Sequence, residues 1–130
     1  MRWRRTLATA VAALVLACTG DGTAPVAGIL KVNLTTPNSG LDGAAVVVLS
    51  GPVAPVSVSP AAGLSVWGGP VTSATAKVAL TGTLSTGTIL TLAVEDVNKV
   101  QQYSATLQQV AASSGYSIRP LAGYSLSVTK

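Results

Sequence analysis

Leu30, Val32 and Leu34 alternate with Lys31, Asn33 and Thr35, and this period of two constrains the fold of the chain more than any other feature. Alternate residues of an extended strand point to opposite faces, so the pattern describes a strand with one face buried. It recurs. Ala76, Val78 and Leu80 oppose Thr75, Lys77 and Thr81; Leu90, Leu92 and Val94 repeat the spacing; Tyr124, Leu126 and Val128 oppose Ser125, Ser127 and Thr129. Turn residues separate these segments: Thr36-Pro37-Asn38-Ser39-Gly40, Pro52 with Pro55, Gly68-Gly69-Pro70, and Ser85-Thr86-Gly87. Proline presets φ, while Asn and Gly tolerate left-handed backbone. Short strands, about seven to nine, with a turn signal every ~8–12 residues and no long helix predict an all-β antiparallel domain.

Other segments refine that expectation. Ala44–Leu49 (AAVVVL) is continuously apolar and predicts a central strand covered on both faces, with Val47 in its middle. Val56 and Val58 alternate with Ser57 and Ser59 up to Pro60, and Leu64–Trp67 reads as a short strand. Thr81-Gly82-Thr83-Leu84 and Thr86-Gly87-Thr88-Ile89 resemble a small repeat, which reads as the turn chemistry of one hairpin. Residues 100–110 admit two readings. Val100, Tyr103, Leu107 and Val110 have helical spacing, whereas Tyr103, Ala105 and Leu107 alternate as in a strand beginning near Tyr103.

The N-terminus carries an address. Arg2, Arg4 and Arg5 precede an uncharged apolar run, Thr6–Ala17, and Ala17 precedes the single cysteine, Cys18. A basic n-region, an apolar h-region and a small residue at the cut predict a secretory signal; the run is too short to cross ~30 Å of hydrocarbon. Val15-Leu16-Ala17-Cys18 resembles the lipobox of bacterial lipoproteins, with Leu16 a mild departure. That resemblance implies cleavage before Cys18 and acylation of its thiol, which anchors the chain to a membrane. Thr19 in place of Asp favours the outer membrane where a cell has two. The expected organisation is a signal peptide over 1–17, an acylated N-terminus and flexible tether over 18–28, and a β-domain over 29–130.

Charge and composition exclude several functions. The formal charge of +4 includes the three signal arginines. Beyond them, Lys31, Lys77, Lys99, Arg119 and Lys130 nearly balance Asp21, Asp42, Glu95 and Asp96. No basic patch forms in sequence, so a nucleic-acid partner is not expected. With no histidine, the usual serine triad lacks its base. Zinc sites built from Cys and His are not expected either. Glu95 and Asp96 are adjacent, so on a strand they point apart, unlike the facing carboxylates of a glycosidase. Asp42 is the other candidate to approach them. The chain reads as no enzyme, with no cofactor.

Two sets of residues remain as binding candidates. Glu95, Asp96 and Asn98 are a compact run of oxygen ligands of the kind calcium accepts; the competing reading is a strand cap and turn. Trp67, beside Gly68-Gly69-Pro70, reads either as a lid on the core or as an exposed ring that stacks on a sugar or a protein.

Gly43–Gly63, Gly87–Val94 and Ala105–Val128 are together similar to cohesin-like domains, jelly-roll sandwiches of exported bacterial proteins. The first stretch is similar to their early strand–loop–strand, the second to a central strand entered from a Gly-Thr turn, and the third to their closing hairpin. The loop strand departs from the family in carrying Val47 and Leu49 where an aromatic is usual, and no dockerin segment occurs. The resemblance implies a jelly-roll sandwich with a binding or scaffolding role and transfers no functional residue. The expected protein is therefore a lipid-anchored envelope lipoprotein. Its domain is a structural or interaction module whose partner is another envelope or extracellular protein. The alternative is a module that binds carbohydrate through Trp67 or calcium through Glu95 and Asp96.

Overall fold

A computed structural model describes residues 24–68 and 73–130, and Cys18 with the expected signal segment lies outside the described residues. Eight strands follow in order: β1 (Gly28–Thr35), β2 (Asp42–Ser50), β3 (Ser57–Pro60), β4 (Ser65–Trp67), β5 (Thr75–Leu84), β6 (Gly87–Val94), β7 (Ser104–Ala112) and β8 (Ser125–Thr129). They form two four-stranded sheets. The first has the order β3-β6-β1-β8 and the second β4-β5-β2-β7, with every pairing antiparallel. Among the described residues, β4 and β5 are the one consecutive pair within a single sheet; each other connection passes from sheet to sheet.

The alternating positions explain why the sheets meet. Leu30, Val32 and Leu34 on β1 join Leu90, Leu92 and Val94 on β6. Ala45, Val47 and Leu49 on β2, with Val78, Leu80 and Val110, complete the same buried cluster from the second sheet. Burying one such Val or Leu side chain contributes ~1.5–3 kcal/mol. One core shared by two sheets is a sandwich-like all-β arrangement.

Several expectations need correction. β2 is central in its sheet, but only its inner face is covered: Val47 is 0% exposed, while Ala44, Val46 and Val48 on the other face are only half-buried. The apolar run was misleading because apolar character alone does not identify what covers it. The Thr-Gly-Thr repeat is not a hairpin, since β5 and β6 belong to different sheets. Its two-residue link turns a corner, and Leu84 and Ile89 on either side both enter the core. The closing strands β7 and β8 are likewise in different sheets.

The ambiguous segment contains both structures. A short 3-10 helix, Val97–Gln102, ends at Tyr103, and β7 starts at Ser104. The tether also binds earlier than expected: Val26 N donates to Asp96 Oδ1 at 3.2 Å, and Val26 O accepts from Val97 N at 2.8 Å. Tyr103 is buried against Gly51, where a Cβ would overlap its ring.

Candidate functional site

The two outer faces differ in chemistry. On the first sheet, Ser59, Thr91, Lys31 and Thr129 form one cross-strand row, and Thr88, Asn33 and Ser127 form the next. Asn33 ties its row to the other, donating to Thr129 Oγ1 at 3.0 Å and accepting from Thr88 Oγ1 at 2.8 Å. These two rows are a hydroxyl-rich surface suited to water; the row beyond them holds Ser57, Ala93 and the exposed Ile29.

On the second sheet the corresponding rows mix small and apolar side chains with Ser65, Thr81 and Gln109, and Lys77 stands in the row beyond. Register aligns Ser65, Thr81, Ala44, Ala111 and Ile118 in one row, and Trp67, Ala79, Val46 and Gln109 in the next. Alanine side chains make a low floor between two large residues. Trp67 is 60% exposed and Ile118 61%. A groove of about 100 Å3 lies over Ala44, Val46, Ala79 and Ala111, with Ile118 on one side and Thr81 on the other. Pockets for small-molecule ligands are commonly ~300–1,000 Å3. This groove is the size of an inserted apolar side chain.

Ile118 and the Trp67 ring, which stands beside Thr81, are both held in place. Trp67 does not lid the core; its indole Nε1 donates to Thr81 Oγ1 at 2.8 Å, fixing the ring on the outer face. Ile118 is held through its backbone neighbours, because Ala112 N donates to Ser117 O at 2.9 Å and Arg119 N to Val110 O at 2.8 Å. Arg119 then reaches the fully buried Asp42, with Nε 2.6 Å from Oδ1. Tyr124 OH donates to the same carboxylate, 2.9 Å from Oδ1 and 3.0 Å from Oδ2, and Thr36 Oγ1 donates to Oδ2 at 2.7 Å. The carboxylate thus joins the β1–β2 turn, the start of β2 and the segment before β8.

The oxygen-ligand run has a different geometry. Asp96 caps the 3-10 helix, its Oδ1 accepting from Asn98 N at 3.0 Å and from Val26 N at 3.2 Å. These two backbone donors hold its carboxyl below the ordinary carboxylate range, the Asn98 bond contributing most. Asn98 Oδ1 accepts from Lys130 Nζ at 3.5 Å, and Glu95 is exposed. Asp42 does not approach this run. It lies near the end of β1, whereas Glu95 and Asp96 lie near its beginning, so roughly 20 Å of strand separates them. Among the described residues, no group of three or more His, Cys, Asp and Glu is arranged to hold a metal.

Sequence reasoning singled out Trp67 but missed Ile118 and the Asp42–Arg119–Tyr124 cluster. One clue was available: an aspartate opening an apolar strand needs a cation, and Arg119 is the sole arginine after Arg5. No protein-family model, curated protein or solved structure matches this chain.

Proposed function

We propose that this chain is an exported lipoprotein, anchored through Cys18, whose domain is a non-catalytic protein-interaction module of the cohesin-like jelly-roll type. One observation carries the interaction reading: on the outer face of the second sheet, small and apolar side chains floor a groove between Ile118 and Thr81, beside the exposed Trp67, while two outer rows of the first sheet carry mostly hydroxyls. Exposed apolar surface of this kind marks binding sites. The groove's size fits a partner's side chain, and a fixed, exposed Trp is a residue type enriched among interface anchors. Eight strands in two sheets with repeated crossovers support the jelly-roll assignment. The separation of Asp42 from Glu95 and Asp96, with no histidine present, supports the non-catalytic reading. The N-terminal arginines, the apolar run and the lipobox-like tetrapeptide support the anchor and a cell-envelope location.

Affinity capture of the intact lipoprotein from membranes tests the reading. A partner should accompany the wild type and Ser127→Asp, whose change lies on the hydroxyl face, and should be lost with Val46→Asp. Retention by Val46→Asp refutes the assigned face.

The exposure of Trp67 also favours a second reading, stacking on a carbohydrate. Its nearest cross-strand neighbour Ala79 offers no hydrogen bond to a sugar hydroxyl, Thr81 Oγ1 already accepts from the indole, and Gln109 lies at the far end of the row, two strands beyond Ala79. Glycan-array binding abolished by Trp67→Ala would establish that alternative.

A further inference from the structure

Among the described residues, four edge strands flank the two sheets, and three of them are blunted. β3, β4 and β8 have four, three and five residues; β3 ends on Pro60 and β8 runs into Lys130. Short strands, proline and lysine are the usual protections against strand addition. β7 has nine residues, SATLQQVAA, with no charge and no proline.

Among the described residues, one end of this edge is covered. Ser117–Arg119 pairs antiparallel with Val110–Ala112, through Ala112 N to Ser117 O and Arg119 N to Val110 O. Pro120 follows and has no N–H with which to continue the ladder. Ser104–Gln109 therefore has β2 on one side and, among the described residues, no strand on the other. The outward-pointing backbone of Val110 and Ala112 sets the alternation. Carried across the bulge where Gln108 is the extra residue, it turns the N–H and C=O of Leu107 and Ala105 outward too.

We propose that this edge is a strand-addition site and that its occupant is a second copy of the same strand, paired antiparallel about Thr106. The proposal is independent of the face reading above. In this register Ala105 of each copy pairs with Leu107 of the other, exchanging about four backbone hydrogen bonds. Small opposes large, and both side chains lie on the inner face, where Leu107 is left half-buried in the single chain. Thr106 opposes its own counterpart on the outer face, a favourable cross-strand pair. The paired stretch is neutral, so no like charges meet. A two-fold axis gives a closed dimer rather than a fibre, with an eight-stranded sheet carrying both apolar faces side by side.

Sedimentation equilibrium of the full chain in density-matched detergent tests this. The wild type should have the mass of a dimer. Thr106→Lys alone and Thr106→Glu alone should each be monomeric, because like charges then meet across the axis. An equimolar mixture of the two should regain the dimer mass, a rescue that simple damage to the fold would not produce. A monomeric wild type at about 100 μM, on the micromolar-to-millimolar affinity scale, overturns the proposal. So does a dimer that persists in Thr106→Lys, or a mixture that stays monomeric.

Discussion

Removing Arg119 should destabilise this protein more than neutralising the aspartate it binds. Asp42 is 0% exposed, whereas the Arg119 side chain is 25% exposed. Arg119→Met strips the cation from a carboxylate that water does not reach, leaving only the hydroxyls of Tyr124 and Thr36 as donors. Breaking a buried ion pair in this way costs about 3–5 kcal/mol. Asp42→Asn is milder. The amide keeps one acceptor oxygen, and its NH2 can donate to the Thr36 hydroxyl, which is free to rotate. The guanidinium retains water and Leu41 O, which accepts from an Arg119 terminal nitrogen at 3.2 Å. That loss is closer to one or two hydrogen bonds, about 1–3 kcal/mol. Against a total stability of ~5–15 kcal/mol, both changes are measurable by urea denaturation followed by circular dichroism. The double variant, with neither charge, should be more stable than Arg119→Met alone by at least ~1 kcal/mol. The reasoning fails if Asp42→Asn costs as much as Arg119→Met, or if the double variant is the least stable of the three.

Other expectations are checked as directly. Val46→Asp should abolish partner capture while lowering stability by no more than about 1 kcal/mol, because Val46 is only half-buried and the new carboxylate keeps access to water; a collapse in stability would mean this face is covered. Gly51→Ala should destabilise by about 1–3 kcal/mol through overlap with the buried Tyr103 ring, and a Tyr103→Leu background should relieve it. Asp96, held below its ordinary value of 3.8 by the backbone amides of Asn98 and then Val26, stabilises the fold above its unfolded pKa. That contribution is lost as pH falls through the lowered folded value. Asp96→Asn should therefore lower stability at neutral pH and flatten its decline below about pH 4; identical acid profiles would exclude the linkage. Cys18→Ala should abolish incorporation of labelled lipid and release the chain from membranes, and continued labelling would refute the anchor.

Strand existence was legible because a strand's signal is local. Leu30, Val32 and Leu34, like Leu90, Leu92 and Val94, declare their buried face by spacing alone, and all six are buried. The candidate site was legible only in part. Trp67 stood out as a rare residue, but exposure on a sheet face depends on the absence of a covering layer, which the sequence does not state. Ile118 sits in a loop with no periodicity, and it matters only because backbone bonds to Val110 and Ala112 hold that loop beside the groove.

The sequence by itself determined that the chain is built of short strands, which residues of most strands point inward, and where the turns fall. It also determined which chemistries lack their residue types. These are consequences of φ/ψ preferences, side-chain period and composition, all expressed within a few residues. Only the tertiary structure decided which strand enters which sheet, so that the apparent hairpin at Ser85 and Thr86 became a corner between sheets. It also decided that the outer half of AAVVVL is left uncovered, and that Asp42 meets an arginine 77 residues away. Those outcomes rest on long-range pairing and packing, where the free energy comes from which surfaces meet and not from the residues' local order.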